Sequence, residues 1–153
     1  MSKHRLLLST AAVAFVAYGV AAPASAETLN VVASFTVLAD VVKQVGGDHV
    51  KVSSLVGPNG DPHEFEPSPA DAKKLNAAKL TFVSGEGLEG WMDRLISASG
   101  YKGTPVVASE GIDTRTMVDD GKTITDPHVW NSPINVKIWV GNIEKALSAA
   151  DPA

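Results

Sequence analysis

Short apolar runs alternate along this chain with segments whose apolar residues recur at helical spacing. Leu29 to Phe35 is a β-rich run, and Val37 to Val45 then spaces its apolar residues as a helix does before Gly46-Gly47 stops it. Val50 to Val56 is expected as a second strand. Ser68-Pro69-Ala70-Asp71 has the makings of a helix start, with Ser68 as N-cap, Pro69 at the first helical position and an acid three residues after the cap. That helix is expected to reach about Ala78. Leu80 to Ser84 reads as a third strand. Glu89 to Ala98 reads as an amphipathic helix with Trp91, Leu95 and Ala98 on one face, closed by Gly100. Pro105 to Ser109 is expected as a fourth strand, followed by a polar loop from about Gly111 to Asp126. Ser132-Pro133 then opens a last helix ending near Ala150. Repeated strand-helix units imply right-handed crossovers, so the expected fold is one α/β lobe with a four-stranded parallel sheet flanked by helices.

The first 26 residues stand apart. Lys3, His4 and Arg5 form a basic start, Leu6 to Ala22 an apolar run, and Ala24-Ser25-Ala26 a small-residue cleavage site, the pattern of a secretory leader that leaves Glu27 as the mature start. The apolar run is interrupted by Ser9, Thr10 and Gly19 and falls short of the roughly 20 residues a membrane span needs; an uncleaved anchor is the alternative. The sequence contains no cysteine, so neither a disulfide framework nor a lipid-modified cysteine is expected, and the chain is placed free in a periplasm. Without Lys3 and Arg5 the 13 basic residues fall by two against 17 acidic ones, and the formal charge moves from −4 to −6. Such a chain is a poor nucleic-acid binder, but it suits attraction of cations.

Chemistry enters through a phrase written twice. Asp61-Pro62-His63 leads through Phe65 to Ser68-Pro69, and Asp126-Pro127-His128 leads through Trp130 to Ser132-Pro133. Each copy holds a histidine in a proline-stiffened loop ahead of a helix. In open α/β sheets the loops leaving the carboxyl ends of the strands carry the binding groups. His63 follows the second strand and His128 the fourth, so both are expected at the same rim although 65 positions separate them. Neutral imidazole is a good ligand for zinc and acceptable to manganese or iron, and the prolines limit the backbone freedom that metal binding would otherwise have to freeze.

The neighbouring residues read less sharply. Asp61 and Asp126 are taken first as caps of local turns, with orientation of each imidazole as the alternative. Phe65 and Trp130 are taken first as packing residues, with shielding of the site from water second. Glu64 and Glu66 suit a solvated acidic loop better than a ligating role. His49, at the amino-terminal edge of the second strand, is read as a surface residue.

Several motifs in order carry a family resemblance: the exported start, the segment Val56 to Pro69 (VGPNGDPHEFEPSP), Gly85 to Trp91 (GEGLEGW), and Asp126 to Trp130 (DPHVW). The chain resembles the amino-terminal lobe of the zinc/manganese substrate-binding proteins of ABC importers, over essentially all of residues 29–150. The resemblance implies two α/β lobes joined by a long rigid helix, a metal held in the cleft between them, an inner-membrane ABC permease as partner, and His63 and His128 as metal ligands. The sequence stops at Ala153, about where that long helix begins or is under way. The expected organisation is therefore a leader over 1–26 and an amino-terminal metal-binding lobe over 27–153, with the second lobe and its two ligands, a His or Glu and an Asp, absent. No histidine-rich loop precedes His128, which mildly favours manganese over zinc.

The function expected is thus a periplasmic carrier of zinc or manganese. A small exported metalloenzyme is the rival, since an open metal position can activate water, but the sequence has no His-Glu-x-x-His helix, nucleophile elbow or obvious general base. A truncated, non-functional fragment of a receptor is a third reading. The exposed rim is a candidate for self-association, with a dimer sharing one metal through four histidines as its sharpest form. Because ligating imidazole must be neutral, binding is expected to fade as pH drops through roughly 6.

Overall fold

The computed structural model describes residues 28–152, and the leader over 1–26 lies outside them. β1 (Leu29–Phe35) is central in the sheet. It pairs in parallel with β2 (Val50–Val56) on one side and β3 (Leu80–Val83) on the other, and β4 (Val106–Val107) completes the order β2-β1-β3-β4. Both faces of β1 are buried from Val31 to Phe35, as a parallel sheet covered by helices requires. α1 (Thr36–Gly46) packs beside α4 (Pro133–Ala150), and α2 (Pro69–Asn76) beside α3 (Met92–Ser99).

Each helix boundary has a local cause. α1 ends where Gly47 takes a left-sided φ of 52° and returns its N–H to the carbonyl of Lys43. α2 starts on the expected signal: Ser68 caps the amide of Asp71, and Asp71 caps the amide of Ser68, a reciprocal capping box with Pro69 at the first helical position. It stops two residues before the expected Ala78, and Lys79 then donates to the carbonyl of Asn30 at 2.8 Å, carrying the chain into its pairing with β1.

Three expectations are corrected. The helix expected from Glu89 begins at Met92, because residues 85–87 all have positive φ and the Glu89 side chain caps this turn. Met92 and Leu95 are its buried residues, Trp91 is buried just ahead of it, and Ala98 is exposed. The fourth strand has two residues rather than five. Pro105 has no N–H to give the ladder, and beyond Ser109 the chain turns away through Gly111, whose φ is 84°. The polar loop expected over 111–126 contains an antiparallel hairpin, β5 (Thr116–Asp119) and β6 (Lys122–Thr125), turned by Asp120 and Gly121 at φ 45° and 75°. Positive φ at both central residues is what a two-residue turn between twisted strands demands.

Candidate metal-binding site

The two copies of the repeated phrase meet. His63 lies in the loop between β2 and α2, and His128 lies between β6 and α4, just ahead of a single helical turn over Val129–Asn131. Their Nε2 atoms are 3.2 Å apart and their ring centroids 5.2 Å. Two imidazole nitrogens on one tetrahedral zinc, each about 2.0–2.1 Å from it, stand roughly 3.3 Å apart. The pair thus has the span of one edge of such a coordination sphere. Among the described residues, no group of three His, Cys, Asp or Glu side chains is close enough to hold a metal.

The loops are braced from beneath. The indole N–H of buried Trp91 donates to the carbonyl of Pro62 at 2.8 Å, next to His63, and Phe65 packs edge-on against the same indole at 4.9 Å. On the other arm, Trp130 packs on Phe35 at 4.9 Å and stands edge-on to the His128 ring at 5.5 Å, above buried Trp139. Packing, the first reading of both aromatics, therefore accounts for Phe65, while Trp130 also walls the imidazole.

The two aspartates act differently. Asp61 Oδ1 accepts from the His63 amide at 2.8 Å, a local turn cap. Asp126 Oδ1 accepts from the His128 amide at 3.0 Å and also meets the ring Nδ1 at 2.9 Å, so it caps and orients at once. Hydrogen bonds from the His128 amide and ring hold the Asp126 carboxyl below its ordinary range. Glu64 and Glu66 are exposed, and only Glu64 lines the cleft with the histidines. His49 stands at the opposite edge of the sheet, 4.0 Å from Asp151.

The sequence reading missed part of the wall. The cleft, about 590 Å³ and open to solvent, is also lined by Glu86 and by Met117, Asp119 and Ile124 of the hairpin. Glu86 occupies the left-handed region at φ 57° and accepts from the Ser109 hydroxyl at 3.0 Å. A Cβ at neighbouring Gly85 would lie 2.6 Å from Val107 and 2.7 Å from the Ser109 hydroxyl, so the close passage of this turn over β4 needs glycine. Below it, Glu89 accepts from the Ser34 hydroxyl and the Ser84 amide, both at 2.6 Å, and from the Gly85 amide at 3.1 Å. Burial pushes its carboxyl up despite these bonds. Asp120-Gly121 was the available signal for the hairpin, and the two glycines around Glu86 for the turn.

Known proteins similar to this chain are metal-binding proteins. Residues 31–153 match the family described as zinc-uptake complex component A, periplasmic. The manganese ABC transporter substrate-binding lipoprotein PsaA of Streptococcus mitis is 37% identical over 154 residues, a match covering 96% of this chain and 50% of that protein. A zinc-bound crystal structure of a ZnuA deletion mutant superposes with a TM-score of 0.75 at 31% identity, covering 82% of this chain and 48% of that one. A manganese-bound periplasmic metal-binding protein from Candidatus Liberibacter asiaticus gives 0.73 at 31%, covering 80% and 45%. The chain spans about half the length of the curated relatives it matches. With a matched segment that takes in all the sheet strands but the first two residues of β1, and both histidine loops, the chain belongs to the family of periplasmic zinc-uptake component A proteins.

Proposed function

We propose that this chain binds a divalent transition metal, zinc or manganese, through Nε2 of His63 and His128, as the substrate-binding component of an ABC importer that hands the ion to an inner-membrane permease. The observation that carries the reading is the 3.2 Å separation of the two Nε2 atoms at the carboxyl-end rim of the sheet. Residues 27–153 constitute an amino-terminal lobe, and two imidazoles leave further coordination positions to water or to donors outside these residues. Both zinc and manganese are bound by relatives of similar likeness, so the choice between them rests with those further donors. The role is that of a carrier rather than an enzyme, and the lack of a recognisable hydrolytic motif in the sequence supports it. The leader pattern over 1–26 supports export, and the lack of any cysteine to lipidate supports a form free in the periplasm. The open cleft face is also suited to self-association, which sedimentation with and without metal decides.

X-ray absorption of the zinc-loaded chain tests the ligands directly. The expected result is imidazole scattering from two rings with nitrogen at about 2.0–2.1 Å. A shell of oxygen alone would refute the assignment.

A further inference from the structure

We propose that Glu86 belongs to the metal site as a third binding group, whose carboxylate acts on the bound ion through water rather than by direct ligation. This rests on the metal-binding reading above. Glu86 lines the same cleft as both histidines. Its backbone carries the first sign: φ is 57°, in the left-handed region, between Gly85 at 93° and Gly87 at 82°. Glycine suits that conformation and glutamate does not, so a long acidic side chain is held there against its own preference, the kind of strain that collects at functional sites. The fold secures it nonetheless, because Glu89 caps the turn through the amides of Ser84 and Gly85, at 2.6 and 3.1 Å.

The side chain is fixed as firmly as the backbone. Oε1 accepts from the Ser109 hydroxyl at 3.0 Å, and Ser109 is 1% exposed. Ser109 is itself clamped: its amide donates to the Ser84 carbonyl at 3.2 Å, and Asn142 of α4 donates to the carbonyls on either side of it, Ala108 at 2.8 Å and Glu110 at 2.9 Å. One oxygen of Glu86 is thus tied to the core, and among the described residues no protein donor meets the other. The remaining carboxylates of the cleft are not anchored in this way. Asp61 takes the His63 amide, and Glu64 and Asp119 are exposed. No lysine or arginine among the described residues lines the cleft, so no cation of the protein competes for the Glu86 charge. Among the same residues no three metal-ligating side chains are close enough to share one ion. Water therefore spans the remaining distance: the cleft of about 590 Å³ has room for it, and two imidazoles leave coordination positions that it can fill. A carboxylate that accepts from metal-bound water makes a charge-assisted hydrogen bond and adds its own attraction for the cation.

Titration of the metal-stripped chain with zinc and with manganese tests this in Glu86→Gln, which keeps the shape and the acceptor for Ser109 but removes the charge. Affinity for both ions is expected to fall roughly tenfold, while urea unfolding of the metal-free protein stays as in wild type. Glu64→Gln and Asp119→Asn remove the same charge from exposed, unanchored positions, and their losses are expected to be about threefold at most. Ser109→Ala releases the anchored oxygen, so it should weaken binding in the wild-type background and add nothing to Glu86→Gln. Electron–nuclear double resonance of the manganese-loaded wild type should show the exchangeable protons of bound water. Affinity in Glu86→Gln equal to wild type, equal losses in the three charge variants, a Ser109→Ala effect of the same size in both backgrounds, or the absence of water protons would overturn the proposal. Any of these with zinc binding still lost in His63→Ala and His128→Ala would leave the two-histidine reading standing, whereas a wild type that binds neither ion would overturn both.

Discussion

The indole N–H of Trp91 reaches across from the start of α3 to donate to the carbonyl of Pro62, 2.8 Å away, and so fixes the residue beside His63 to the protein core. Trp91 is 2% exposed, so its one polar atom is satisfied by the loop that carries the candidate ligand.

Replacing Trp91 with Phe keeps an aromatic at the site but leaves the Pro62 carbonyl without its donor. A loss of about 1–2 kcal/mol in urea unfolding is expected, from one hydrogen bond and the lost ring volume. Metal affinity is expected to fall several-fold, since the His63 loop loses its anchor. Unchanged affinity in a destabilised variant would separate the brace from the site.

Asp71→Asn tests the start of α2 and carries a definite pH signature. Burial pushes the Asp71 carboxyl up, but hydrogen bonds from the Ser68 hydroxyl, the Lys74 ammonium and the Ser68 amide, with the Lys74 charge, outweigh it and hold the carboxyl below its ordinary 3.8. A lowered native value means that the stabilisation is present above the unfolded value and is lost as pH falls through the native one. The variant is therefore expected to be less stable by about 0.5–2 kcal/mol near neutrality, with the gap closing in acid below about pH 4. Denaturation at several pH values reads this directly, and a gap that widens in acid would contradict it.

Glu89 has the opposite slope. Burial raises its carboxyl above the ordinary 4.5, so its contribution is full below the unfolded value and declines as pH rises through the native one. Relative to Glu89→Gln, which cannot ionise, the wild type is expected to lose stability between acid and neutral pH. A flat difference over that range would show the carboxyl unshifted.

Gly121→Val addresses the hairpin that walls the cleft. At φ 75° a β-branched residue is strained, so the turn should loosen. β6 is exposed along its length, and global stability is expected to change little. Amide hydrogen exchange at the paired residues Met117 and Ile124 should rise, and protection equal to wild type would show that the turn tolerates the change.

What could be read from the sequence was what is locally encoded or deeply buried. Ser68, Pro69 and Asp71 determine a helix start within four residues, and the apolar run of β1 announces a strand covered on both faces. The repeated phrase singled out His63 and His128, and the order of strands and loops predicted them at one rim; their Nε2 atoms stand 3.2 Å apart. The hairpin was not legible as strands, because residues 116–125 are largely exposed and lack an alternating apolar face; its one signal was the Asp120-Gly121 turn. The late start of α3 depends on Glu89 reaching back to the amides of Ser84 and Gly85, a contact that competes with helix formation and leaves no periodic trace. Nor could the repeat reveal that its aspartates differ, since the difference is the rotation of one imidazole toward Asp126.

The central claim, that His63 and His128 form one metal site, is tested most directly by calorimetric titration of metal-stripped residues 27–153 with zinc and with manganese, alongside His63→Ala and His128→Ala. The account predicts one ion per chain in the wild type and a loss of at least tenfold in affinity in each variant, with the double variant no worse than the weaker single. Binding that survives in both variants, or that is lost in neither, would contradict it.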